Sequence, residues 1–132
     1  MVEKDRIRFE INNEVTSKEL IEVFKSVEWR KNTDNIVDAF KHSYYITAYH
    51  GKELIGFARA ISDNCCYTNI FDVIVRPEYQ KQGIGKKMMH MLRNKFKGTY
   101  FFLTYTEGRE GFYEKCGFEA NERAMWIHIH NS

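Results

Sequence analysis

The stretch that decides the fold is Phe71-Asp72-Val73-Ile74-Val75-Arg76-Pro77-Glu78-Tyr79-Gln80-Lys81-Gln82-Gly83-Ile84-Gly85-Lys86-Lys87. Apart from Asp72, its first five residues are apolar or aromatic, the texture of a covered strand. Pro77 has no backbone N–H and stops the ladder. Beyond the glycines, Ile84, Met88, Met91, Leu92 and Phe96 recur at helical spacing, which predicts an amphipathic helix. The start of a helix leaves backbone N–H groups without intrahelical partners and carries partial positive charge. Gly83 and Gly85 omit the side chains that would keep an anion from those groups, and Lys81, Lys86 and Lys87 add full charges. The segment reads as a pyrophosphate cradle. A Walker loop does not fit, because Gly85 is followed by Lys86-Lys87 with no hydroxyl; a dinucleotide fingerprint fails at Met88, where it needs glycine. The competing reading is that the glycines only let the helix pack closely on the sheet.

Working outward, residues 6–11 alternate charged and apolar as a half-buried strand does. Thr16 or Ser17 can cap a helix carrying Leu20, Ile21, Val23, Phe24 and Val27. Residues 34–40 offer either a second short helix or an ordered loop. Residues 45–49 and 54–61 predict strands around a turn at His50-Gly51-Lys52, and residues 67–75 another strand. Residues 100–105 form a continuous apolar and aromatic run, which predicts a central, well-covered strand. Residues 110–115 make a short helix with Gly117 past its end, and Phe118 and residues 124–130 supply closing strand material. This order predicts an α/β fold in one domain, residues 1–132: a sheet of mixed strand directions with helices on both faces.

Composition narrows the classes of function. A chain with 43% hydrophobic residues is no disordered segment. Its formal charge of +2, with both signs interspersed, predicts neither nucleic-acid nor membrane binding. Cys65, Cys66 and Cys116 form no CxxC and read as reduced thiols, which, with no signal peptide at the N-terminus, predicts a cytoplasmic protein. His128 and His130 share a strand face without a third ligand in sight, so no metal is expected.

The sequence resembles the GCN5-related N-acetyltransferases. Gln80-Lys81-Gln82-Gly83-Ile84-Gly85 matches that family's cofactor loop, Arg/Gln-x-x-Gly-x-Gly/Ala, and Val73-Ile74-Val75-Arg76-Pro77 its approach strand. Phe112-Tyr113-Glu114-Lys115-Cys116-Gly117-Phe118 matches a second motif, Phe-Tyr-x-x-x-Gly-Phe. A softer similarity, through residues 54–63, Phe71-Asp72-Val73 and Met125-Trp126, is to small plant and cyanobacterial serotonin-type acetyltransferases.

The resemblance implies a mostly antiparallel sheet whose central strands splay to admit acetyl-coenzyme A as cosubstrate. It implies that the backbone of Val73, Ile74 and Val75 pairs with the pantetheine arm, an N–H near Ile74 polarising the thioester. It also implies that amides from Gln80, Lys81, Gln82, Gly83, Ile84, Gly85 and Lys86 hold the pyrophosphate. Tyr113 matches the tyrosine that protonates the departing thiolate; packing beside Phe112 and Phe118 is the alternative. Asp72 is the first candidate for the base that frees the acceptor amine, or else a strand carboxylate paired with a nearby cation. Glu28 and Trp29, at the end of the first helix, are candidates for the acceptor pocket. Thr106 stands where many members have asparagine. The expected activity is direct acetyl transfer to a primary amine of a small molecule, the alternative a non-catalytic coenzyme A sensor. A homodimer through residues 124–130 is also suggested.

Overall fold

Thr16 opens the first helix with a capping box. Its hydroxyl accepts the Glu19 N–H at 3.2 Å, while the Glu19 carboxylate accepts the Thr16 N–H at 3.0 Å. The computed structural model describes residues 6–29 and 35–127. In chain order it contains β1 (Ile7–Ile11), α1 (Ser17–Ser26), α2 (Ile36–Lys41), β2 (Tyr44–His50), β3 (Glu53–Ser62) and β4 (Tyr67–Val75). A single 3-10 turn (Pro77–Tyr79) then leads to α3 (Ile84–Lys95), β5 (Tyr100–Leu103) and α4 (Glu110–Lys115). Residues 36–41 thus take the helical of their two readings, burying Ile36 and Phe40.

The sheet runs β1-β2-β3-β4-β5, antiparallel at the first three junctions and parallel between β4 and β5. Strand alternation, reset in β3 where the β2–β3 register shift leaves Ile55 without a paired residue, sends Ile46, Ala48, Ile55 and Ala58 to one face, where Met88, Met89 and Leu92 of α3 cover them. Tyr45, Tyr49, Phe57 and Ile74 face the other side, under Leu20, Val23 and Phe24 of α1 and Phe40 of α2. Phe40 meets Tyr45 and Phe57 edge-on, with centroids 5.0 and 5.1 Å away. Such pairs add about 0.5–1.5 kcal/mol each beyond area burial.

One irregularity positions the site. The β3–β4 register steps from Ala58↔Val73 to Arg59↔Phe71, so Asp72 is the extra residue of a β-bulge. A bulge bends and twists its strand. β5 pairs only with Tyr67–Ile70, and past that point the bent end of β4 has no further partner on this side among the described residues. The two parallel strands part there, and among the described residues no strand lies beside this edge of β4 from Phe71 to Val75, where the Val75 carbonyl is taken by the Gln80 side chain.

Two expectations are corrected. The run at 100–105 is strand only over Tyr100–Leu103, and it lies at the end of the strand order, not its centre. Its apolar run misled because Tyr100 (74% exposed) and Phe102 (46%) face outward, with Phe102 stacked on Tyr67 at 5.6 Å. Only Phe101 and Leu103 pack on the α3-side core. Residues 118–127 form no regular strand, and the rest of the expected closing strand, with His128 and His130, lies outside the described residues.

Candidate active site

Gly83 is the N-cap of α3, with φ +83° and no side-chain cap. The first intrahelical bond runs from the Lys87 N–H to the Gly83 carbonyl at 2.9 Å. The amides of Ile84, Gly85 and Lys86 precede it, and those residues line a cleft of about 630 Å³. A Cβ at Gly83 would meet nothing within 4 Å, so the approach above the turn is clear. A Cβ at Gly85 would stand 3.1 Å from Phe112 Cζ. The two glycines therefore do different work: Gly83 supplies the left-handed turn, and Gly85 makes room for the ring from α4.

The remaining loop residues divide in the same way. Gln80 braces the loop: its N–H donates to the Pro77 carbonyl at 3.2 Å, and its side chain donates to the Val75 carbonyl at 2.8 Å. That amide is already committed and does not extend the row at the helix start. Lys81, at φ 63°, lines the cleft, whereas Gln82 turns its side chain toward the Glu78 carbonyl and is not part of the lining. Val73 and Val75 line the cleft from β4; the Ile74 side chain is buried in the opposite face.

Beside the cleft lies a smaller pocket of about 260 Å³, walled by Trp29, Phe71, Asp72, Tyr105, Arg109, Tyr113 and Trp126. Val73 and Arg109 line both cavities. Tyr113 is half-buried among Phe112, Phe118 and Tyr105, with ring centroids 5.1, 6.2 and 6.4 Å away. Burial pushes its phenol above the ordinary 10.0, and the charges of Cys116 and Asp72 add to this against the opposing Arg109. The phenol therefore keeps its proton at neutral pH and can donate it. Asp72 is fully covered and ion-paired: Arg59 Nε and Nη2 each lie 2.9 Å from its Oδ2. The same guanidinium donates to Ser43 Oγ at 3.0 Å and lies over the rings of Phe40 and Phe71.

With this geometry in place, comparison with known proteins is decisive. The model of the acetyltransferase (GNAT) domain matches residues 41–120, more than half of the chain. The chain belongs to the GNAT acetyltransferase family. It is 31% identical to histone acetyltransferase TAP1 of Glycine max, over 92% of this chain and 59% of that one. It is 36% identical to the uncharacterized N-acetyltransferase ycf52 of Porphyra purpurea, over 76% of this chain and 63% of the relative. The chain thus spans about three-fifths of the length of these relatives. A solved GNAT-family acetyltransferase from Streptococcus pneumoniae superposes with a TM-score of 0.80 at 26% identity, covering 94% of this chain and 99% of that one.

The GNAT domain brings Tyr113, Asp72 and Trp29 to one pocket and the glycine turn to the adjoining cleft. Glu28 does not join them: it is exposed at φ 59°, while its neighbour Trp29 turns in, edge-on to Phe24 at 5.9 Å. Sequence reasoning missed Arg109, Tyr79, Tyr105 and Lys115. Arg109 is a lone cation in a loop and has no periodic signature; only its place just before Phe112-Tyr113 pointed to it. Tyr79 lines the cleft while its hydroxyl is fixed by His50 Nδ1 at 2.8 Å, a partner twenty-nine residues away.

Proposed function

We propose that this GNAT domain transfers the acetyl group of acetyl-coenzyme A to a primary amine of a small molecule, by direct attack within a ternary complex. The observation that carries this reading is the junction of the two cavities at Val73 and Arg109, with Tyr113 at the wall of the smaller one. The residues present fit the cosubstrate. The amides of Ile84, Gly85 and Lys86, with Lys81 and Lys115 on the same cleft, suit a diphosphate. The edge of β4 that no described strand borders suits a pantetheine arm added like a strand. Acetyl-coenzyme A brings an acyl group activated as a thioester.

The chain's own groups do the rest. A backbone N–H near Ile74 polarises the carbonyl that the amine attacks. As the C–S bond breaks, the Tyr113 phenol gives its proton to the departing sulfur. Trp29, Tyr105 and Trp126 wall the acceptor pocket and offer aromatic surface to the carbon skeleton of the amine. Asp72, held by Arg59, supplies negative charge that draws in an amine arriving as its cation, and the amine's proton leaves through water in the open pocket. Met125 and Ile127, almost fully exposed, suit a homodimer contact through the late residues.

Thiol release from acetyl-coenzyme A over a panel of aryl-alkylamines, polyamines, amino sugars and peptide N-termini tests the reading. Turnover restricted to small amines supports it. Tight binding of coenzyme A with no turnover on any acceptor replaces it with the sensor reading.

A further inference from the structure

The tip of the β3–β4 hairpin holds a group of chemistry-bearing side chains that acetyl transfer does not use. We propose that this tip is a binding site for a soft divalent cation of the zinc type, ligated by Cys65 Sγ, Cys66 Sγ and the Asp63 carboxylate. These donor atoms all lie within 4.8 Å of one another. In a tetrahedral zinc site, with bonds of about 2.0–2.3 Å, donors stand roughly 3.3–3.8 Å apart, so side-chain rotations of about 1 Å complete the set.

The loop is built before any ion arrives. Asp63 Oδ1 accepts the backbone N–H groups of Cys65, Cys66 and Tyr67 at 2.9, 2.7 and 3.0 Å. All three bonds fall on one oxygen, leaving Oδ2 for a ligand. Asn64 takes the left-handed conformation at φ 67°, and its N–H donates to Ser62 Oγ at 3.0 Å. Adjacent cysteines on an extended strand point to opposite faces. Here the turn instead keeps both thiols within 4.8 Å of each other and of the Asp63 carboxylate. Both thiol protons pass to buffer when the dication binds.

All three residues are exposed, which gives an ion direct access and leaves a fourth position for water or a partner's ligand. Along β4 the smaller pocket begins at Ile70, roughly 13 Å from Cys66 by strand rise, and the cleft at Val73, roughly 23 Å away. The site therefore stands or falls apart from the proposed activity.

The test uses the full chain, stripped with chelator and kept reduced by a phosphine. Zinc alone is titrated calorimetrically, and cadmium alone is followed by its thiolate charge-transfer absorption. The expected result is one ion per chain, with the charge-transfer band present. Cys65→Ser and Cys66→Ser should each weaken binding by about 100-fold or more, and Asp63→Asn, which keeps the Oδ1 acceptor, by about 10-fold. Unchanged coenzyme A affinity in each variant would show that the domain is folded. Absence of the band, or binding that persists in the double Cys65→Ser/Cys66→Ser variant, would overturn the site.

Discussion

Arg59 grips Asp72 with two nitrogens on one oxygen, Nε and Nη2 both 2.9 Å from Oδ2, at a β-bulge where the carboxylate is buried and the arginine side chain mostly so. Bulge and ion pair support each other: the extra residue turns the carboxylate toward Arg59, and the guanidinium holds the bend that splays the sheet.

Breaking this pair leaves a buried charge without its partner. Arg59→Ala should therefore cost about 3–5 kcal/mol, measured by urea unfolding. Asp72→Asn should raise KM for a cationic amine more than it lowers kcat, if the carboxylate acts by attracting the substrate. A fall in kcat alone, with KM unchanged, would instead make Asp72 the proton acceptor.

Gly83→Val forces a β-branched residue to φ +83° and fills clear space above the helix start. Coenzyme A affinity should fall about tenfold or more, the loss of one hydrogen bond to a charged group being worth ~1.5–3 kcal/mol. Calorimetric affinity equal to that of the parent chain would move the diphosphate elsewhere.

Tyr113→Phe keeps the ring and removes the proton donor. Turnover should drop about 10²–10³-fold with little change in coenzyme A affinity. Because burial raises this phenol above 10.0, the alkaline fall in activity that reports it should lie above pH 10 and vanish in the variant.

Stability should follow the same tyrosines. Tyr44, Tyr45, Tyr49, Tyr79 and Tyr113 all have phenols raised by burial. The unfolded chain then releases protons first as pH climbs past 10.0, so it binds fewer protons than the native state and stability declines. Below that pH their contribution is fully present. Unfolding midpoints recorded from pH 8 to 11 check the sign.

Gly56→Ala tests the splay from the side of β3. The added Cβ would stand 2.7 Å from the Ile74 carbonyl oxygen and 3.2 Å from Val75 Cα, both backbone atoms that cannot rotate away. A destabilisation of about 1–3 kcal/mol is expected by denaturant titration, as for other overpacked sites. Sequence reading passed over this glycine because nothing local requires it; its neighbours belong to the next strand.

The sequence by itself determined much that depends on near neighbours along the chain. The helical period of α3, the proline stop after β4 and the glycines that open the next helix are local steric and hydrogen-bonding facts. Tertiary structure decided what depends on neighbours across it. The aromatic run at β5 has apolar residues on both faces, so composition could not say whether another strand lies beside it. Asp72 could be read as base or ion pair until Arg59, thirteen residues earlier, was folded against it. Arg109 enters the site only because α4 packs its Phe112 onto Gly85. Each outcome turns on distances between segments far apart in the chain, which local propensity does not encode.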